Sequence, residues 1–375
     1  MTDALYFDHN ASTTVRPEAA QAVADALSIG ANASSVHRFG RLAKRVMEDA
    51  RERVAALVGV TPSQVIFTSG GTEANNLALN GAGCDQVLAS SVEHVSVLDA
   101  HKSTNLIPVD ENGLVNVDAI GPLLDAASGP VVVSIMYANN ETGVIQPVAR
   151  IAEQVHAGRA LFHCDAIQGV GKVALGFNDT GADLMSLSAH KIGGPQGVGA
   201  LIVRDGLNLA PLIRGGGQEL RKRAGTENLP GIAGFGAAAE TALNTLDAFA
   251  GLAVLRDRLE ARITQLAPVR IFGAEVERLA NTSCLTMPGV NSETQVIGFD
   301  IAGIAISAGS ACSSGKVEPS HVLRAMGVGE DDAATAIRVS FGWNSDDGDV
   351  DRFVDAWGGV YSRAGGATNA AALAS

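Results

Sequence analysis

The feature that most constrains this chain is a repeated unit. A short apolar run ends on polar residues and gives way to a glycine-rich turn or a helix. Val65-Ile66-Phe67-Thr68 runs into Ser69-Gly70-Gly71-Thr72-Glu73, and Gln86–Ser90 into Ser91-Val92-Glu93-His94. Residues 130–137 lead to Ala138-Asn139-Asn140-Glu141-Thr142-Gly143, and 160–164 end at Asp165. Leu184–Ser188 delivers Ser188, His190 and Lys191 just before two glycines, and a further run, 200–204, follows. Runs this short, bounded by turn residues, read as buried strands. Helical segments lie around and between them. Pro17-Glu18 opens a helix to about Leu27, and Leu42, Val46, Ala50, Val54 and Leu57 share one face from 38 to 58. Residues 74–80 and 149–157 are two more. Alternation of this kind predicts an α/β domain with a mostly parallel sheet.

The chain has 375 residues, enough for two lobes around separate cores. From Gly231 a single long helical stretch is expected to about Leu266, carrying the chain into the second lobe. The expected division is an arm, 1–16, that packs with the small lobe, a large domain, 17–254, and a small domain, 255–375. Hydrophobic residues make up 46%, which indicates a folded soluble protein. A formal charge of −13 argues against nucleic-acid and anionic-membrane partners. No signal peptide is visible in MTDALYFDHNAS, and the apolar stretch after Gly231 is broken by Glu240, Asn244 and Asp247, so no membrane span is expected. Cys84, Cys164, Cys284 and Cys312 show no C-x-x-C spacing and no disulfide framework, which points to a reducing cytoplasm.

The polar residues gather past the carboxyl ends of strands, where open α/β sheets bind ligands. A lysine there is costly unless it is paired, neutralised or used, and burial can leave it a free amine able to attack a carbonyl. Taken alone, Lys191 reads as a lysine that reaches out to water. Thr72 follows two glycines and opens a helix, which makes either a phosphate site or a plain threonine cap. The segment is neither a G-x-G-x-x-G fingerprint nor a P-loop. Asp165 ends an apolar run and needs a cation or strong donors, or else caps the next turn. Gln168, one turn on, could bond the same ligand. His94 and Asn140 are ordinary loop residues when taken singly. Together, however, these residues match the needs of pyridoxal phosphate: a lysine, a carboxylate for the ring nitrogen, a phosphate cradle and a flat side chain. Lys191, Asp165, Gly71-Thr72 with Ser188 and His190, and His94 supply them. Cys312 sits among Ser, Gly and Ala with no apolar periodicity, which predicts an exposed loop thiol. Cys84, Cys164 and Cys284 read as buried and inert.

With these motifs in hand, the sequence resembles the pyridoxal-phosphate enzymes of fold type I in the class V aminotransferase superfamily, and more narrowly the cysteine desulfurases. The resemblance runs from Tyr6-Phe7-Asp8 to Ile337-Arg338-Val339-Ser340-Phe341-Gly342. It is carried by Thr68–Glu73, by Asn139–Gly143, by Asp165-Ala166-Ile167-Gln168 and by Ser188-Ala189-His190-Lys191. The most specific segment runs from Ser307 through Cys312 to Gly315, followed by Glu318–Gly327. The family implies a mostly parallel seven-stranded sheet flanked by helices and a smaller α+β C-terminal domain.

The resemblance also implies the reaction. L-cysteine displaces Lys191 from pyridoxal phosphate, and the freed amine moves protons at the alpha carbon. Asp165 holds the ring nitrogen, and His94 stacks on the ring and takes the thiol proton. Arg338 binds the substrate carboxylate with Asn140 nearby, and Cys312 takes the sulfur as a persulfide, releasing alanine. Thr226, at the end of a Gly-rich segment, would reach the phosphate of a partner subunit in a homodimer. The persulfide would pass to an iron–sulfur scaffold or another sulfur-acceptor protein. Leu220, Gln196 and Ala33 depart from family preferences for arginine, lysine and proline. A selenocysteine lyase or another class V enzyme is the rival expectation, although a simple aminotransferase needs no thiol nucleophile.

Overall fold

The computed structural model describes residues 4–308 and 320–365. Its strands, numbered along the chain, are β1 (Leu5–Tyr6), β2 (Val65–Thr68), β3 (Gln86–Ser90), β4 (Thr104–Ile107), β5 (Val131–Met136) and β6 (Leu161–Asp165). There follow β7 (Leu184–Ser188), β8 (Gly199–Val203), β9 (Thr282–Thr286), β10 (Ile304–Ala305), β11 (Ser307–Ala308) and β12 (Ala336–Ser340). Seven of them form one sheet in the order β2-β8-β7-β6-β5-β3-β4. The strands from β7 to β4 are mutually parallel, and β8 runs against both β7 and β2. The expected α/β architecture is thus present.

Every residue of β2, β5, β7 and β8 is buried, as a sheet covered on both faces requires. Side chains alternate between two cores along each strand. Phe67, Met185, Leu187 and Ile202 face the helices Pro17–Ile29, Arg38–Leu57 and Leu229–Asn244, while Ile66, Leu184 and Leu201 face the helix Gly71–Gly81. The small residues of Leu229–Asn244 let these helices approach closely: a Cβ on Gly236 would lie 2.6 Å from Ala50 Cα.

Two local features go beyond the sequence reading. The stretch after Gly231 is not one helix but three, Leu229–Asn244, Leu246–Ala250 and Leu252–Thr264. At Thr245 the backbone leaves helical geometry (φ −121°), and its hydroxyl donates back to the Thr241 carbonyl at 2.8 Å. The edge strand β4 has no apolar run to betray it, because its Asn105 and Leu106 face solvent.

A second core joins the two ends of the sequence. Leu5 and Phe7 pack with Leu259, Phe299, Phe341, Phe353 and Trp357. Phe7 meets Phe341 and Phe353 edge-on, each with ring centroids 5.2 Å apart. β1 pairs in parallel with β10, and β11, β12 and β9 form an antiparallel sheet beside them. From this core the arm crosses to the large sheet and lies over the end of β7. There the Thr13 N–H donates to the His190 carbonyl at 3.0 Å, and the Arg16 N–H to Gly193 at 2.8 Å. No described helix is long and apolar enough to cross a membrane.

Candidate active site

The crossing of the arm over the strand ends brings the candidate residues together. Lys191 lies in the tight turn Ala189–Lys191 directly after β7. Its Nζ donates to the backbone carbonyls of Asn10 and Ala11, the latter at 2.8 Å, so strand end and arm share the amine. Asp165 closes β6 and is 5% exposed. Its Oδ2 accepts from Asn75 Nδ2 at 2.8 Å and its Oδ1 from the Ile167 N–H at 3.0 Å. Burial pushes this carboxyl above the ordinary range, against the pull of Asn75, Ile167, His94 and Lys191. Among the described residues it has no ion-pair partner within 4.0 Å, so a buried carboxylate waits there for a cation.

His94 caps the short helix Val95–Leu98 after β3. Its Nδ1 accepts from the Ser96 N–H at 3.1 Å and lies 2.8 Å from the Ser96 hydroxyl. Burial, reinforced by Lys191 and His321 and opposed by Asp165, lowers its pKa and favours the neutral ring. With Nδ1 committed to a backbone N–H, the proton of that neutral ring sits on Nε2. His190 is likewise held neutral, lowered to about 4 by burial and by Lys191, and its Nδ1 lies 3.2 Å from Ser12 Oγ.

The helix Gly71–Gly81 points its N-terminus into a cavity of about 360 Å³ lined by Gly70, Gly71, Thr72, Ser188 and His190. A Cβ on Gly71 would lie 2.2 Å from Ile167 Cδ1, so any larger residue here would have to displace that side chain. Ser188 Oγ is buried and has no hydrogen-bond partner among the described residues. Glu73 braces the turn, accepting from the Ser69 N–H at 2.8 Å and from Arg223 Nε at 3.0 Å. Burial raises its pKa, but these donors outweigh burial and the net shift is downward. A pyridoxal phosphate fits this arrangement. The orphaned Ser188 hydroxyl and the helix N-terminus suit a phosphate, and the unpaired Asp165 suits a protonated ring nitrogen.

Arg338, on β12, is 3% exposed and comes to the same place from the second core. Nη1 donates to the Asn140 carbonyl at 2.9 Å, Nη2 to Asp8 at 2.6 Å, and Nε is buried without a partner among the described residues. Gln168 is turned elsewhere, since Nε2 donates to the Asn10 carbonyl at 2.9 Å and Oε1 accepts from Lys172 at 2.6 Å. Thr226 is exposed and is not among the residues lining the cavity. Cys312 lies outside the described residues.

Sequence reading missed Asn10, Asn75, Asp8 and Lys172. Asn75 carried a faint signal, one helical turn past Thr72 and on its inner face. Asn10 had none beyond its place in a polar turn. It is 1% exposed, and all of its polar groups are engaged.

Comparison with known proteins agrees with this geometry. Residues 5–353 match the Aminotransferase class-V family. The chain is 43% identical to a cysteine desulfurase from Cereibacter sphaeroides, with 94% of each chain covered. It is 41% identical to one from Gluconacetobacter diazotrophicus, over 96% of this chain and 94% of that one. A solved NifS-like protein from Rickettsia africae superposes with a TM-score of 0.90 at 34% identity, covering 96% of this chain and 99% of that one. The chain belongs to the class-V aminotransferases, which are pyridoxal-phosphate enzymes, and among them to the cysteine desulfurases.

Proposed function

We infer that this enzyme removes sulfur from L-cysteine to give L-alanine, holding the sulfur as a persulfide on Cys312. The observation that carries the reading is the convergence of Lys191, Asp165, Ser188 and the Gly71 helix N-terminus on one crevice, with Arg338 entering from the opposite core. Bound pyridoxal phosphate supplies an electron sink for bonds at the substrate alpha carbon. Gly71, Thr72, Ser188, His190 and the partner's Thr226 would hold its phosphate, Asp165 its ring nitrogen and Lys191 its carbonyl carbon. Asn140 would stand beside the ring, and Gln168, bonded here to Asn10 and Lys172, would have to turn to join it.

The chain's own groups then act in turn. Arg338 would bind the substrate carboxylate with its planar guanidinium, which the Asn140 carbonyl and Asp8 hold in place. The Lys191 amine moves a proton at the alpha carbon. His94 would take the thiol proton. The Cys312 thiolate attacks the substrate sulfur. A sulfur–sulfur bond forms, the carbon–sulfur bond breaks, and the carbon gains a proton to become alanine.

The proposed division into arm 1–16, large domain 17–254 and small domain 255–375 is supported by the two cores. A homodimer is supported by exposed apolar side chains at Val36, Phe39 and Leu42 and, in and just before the segment that carries Thr226, at Leu212, Ile213 and Leu220. A cytoplasmic setting is supported by the free Cys84, Cys164 and Cys284. The acceptor we propose is an iron–sulfur scaffold or another sulfur-carrying protein, on the strength of the Cys312 motif.

Two experiments test the reading. L-cysteine added to the holoenzyme is expected to shift its visible absorption and release alanine. Alanine release only from selenocysteine would favour the lyase alternative. Mixed Thr226→Ala and Lys191→Ala subunits are expected to recover activity above either parent, since one hybrid site keeps both residues. No recovery in demonstrated hybrids, with Thr226→Ala itself impaired, would remove the shared-site proposal.

A further inference from the structure

Lys172 is a lysine that the reaction just described does not use. It is 4% exposed, and the charged groups that act on it, Lys191 and Arg338, are both cations. Its Nζ donates to two neutral oxygens, Asn10 Oδ1 at 2.9 Å and Gln168 Oε1 at 2.6 Å. Burial and those two cations drive its pKa well below the ordinary lysine value. Its N–H groups thus meet two amide oxygens, one from the arm and one from the turn after β6.

The consequence is directional. An amide offers an oxygen at one side and an NH₂ at the other, so a donor that claims the oxygen fixes where the NH₂ points. With Oδ1 taken by Lys172 and by Asn281 (3.1 Å), Asn10 Nδ2 faces the Asn140 carbonyl at 3.2 Å and Thr282 Oγ1 at 2.9 Å. With Oε1 taken by Lys172, Gln168 Nε2 faces the Asn10 carbonyl. That carbonyl is the one that receives Lys191 Nζ, and the Asn140 carbonyl is the one that Arg338 grips. Two amides oriented by one amine therefore reach both ends of the site.

We propose that Lys172 is a positioning residue of the desulfurase reaction: by claiming the amide oxygens of Asn10 and Gln168 it sets the seat of the Lys191 amine and the Asn140–Arg338 contact. The proposal rests on the reading that Lys191 carries the cofactor. It explains why so costly a residue is buried with no carboxylate beside it among the described residues. What the two amides take from it is N–H donors.

The test compares Lys172→Met with Lys172→Gln in the holoenzyme. The two side chains are close in length and both lack the charge, but glutamine keeps two N–H donors. Borohydride trapping followed by peptide mapping locates the cofactor, and the pH midpoint of the visible band reports the environment of its lysine. Alanine release gives kcat and KM. The label is expected on Lys191 in all three proteins. In Lys172→Met the midpoint moves and kcat falls by roughly 10- to 100-fold at little cost in KM, as for the loss of a group that orients a reacting residue. Lys172→Gln is expected to recover most of both. If Lys172→Met does not fold, Asn10→Ser, which removes the oriented amide, takes its place. Label on Lys191 with wild-type midpoint and kcat in the variants, or equal damage in Met and Gln, overturns the positioning role and leaves Lys191 standing. Label on Lys172 overturns both.

Discussion

The two halves of the site are built in different ways. On one side, β6 and β7 end on Asp165 and Ser188, and His94 follows the end of β3 at the cap of the next helix. On the other, residues 8–13 of the arm have no sheet ladder across the crevice. They are held by side-chain bonds to residues 130 to 330 positions away, among them Asn140, Lys172, Thr282 and Arg338. Lys191 belongs to both halves, its backbone to the strand end and its amine to the arm. Sheet ends give rigid placement cheaply, because the backbone is already fixed. A web of side chains gives placement only while every partner is present. Substitutions on the strand side should therefore damage chemistry and spare the fold, and those on the arm side should damage both.

The largest effect is expected at Asp165. In Asp165→Asn holoenzyme, kcat should fall by about 10²- to 10³-fold, the scale of removing one preorganised electrostatic partner. Stability should move the other way in the cofactor-free protein. Burial raises the folded-state pKa of Asp165 above its ordinary 3.8. An acid raised in this way stabilises the fold below its ordinary value, and the contribution is lost as pH rises through the folded-state value. At neutral pH the cofactor-free Asn variant should then melt a few degrees higher than wild type, by roughly 1–3 °C. A lower melting temperature would show that Asp165 is braced by more than Asn75 and Ile167.

Asn10→Ala comes next and should cost on both counts. It removes one of the two acceptors of Lys172 and the donor to Thr282, for a loss of about 2–3 kcal/mol in chemical denaturation. Turnover should also drop, although less than at Asp165, because Lys191 keeps the backbone carbonyls of residues 10 and 11. A variant with full stability and lost turnover would erase the contrast between the two halves. Smaller still is the effect expected at Cys164 and Cys284, both fully buried, where serine should lower stability by about 1–2 kcal/mol and leave turnover alone.

The same contrast explains what the sequence made legible. Strand ends announce themselves, because an apolar run followed by polar residues places Asp165, Ser188 and Lys191 at the edge of a sheet before any coordinates are known. Local chemistry also exposes the glycine turn before Thr72. Asn10 and Lys172 have no such signature, since their significance lies in partners far along the chain. The same holds for Asp8 on Arg338, a contact between residues 330 positions apart. The broken helix after Gly231 was hidden for a different reason. Its apolar pattern continues through Thr245, where the backbone does not. The shift of the His94 proton onto Nε2 likewise depends on a backbone N–H whose direction only the fold reveals.

The most direct test concerns the sulfur itself. Wild type, Cys312→Ser and the Cys84, Cys164 and Cys284 serine variants are each given L-cysteine, and alanine and protein-bound persulfide are measured together. Cys312→Ser should keep the cofactor and the cysteine-induced spectral shift and yet form neither alanine nor persulfide. The other three should form both at near wild-type rates, because burial raises the pKa of each of those thiols and disfavours the thiolate. Persulfide appearing in Cys312→Ser at a rate near wild type would contradict the account, because the sulfur would then have another acceptor.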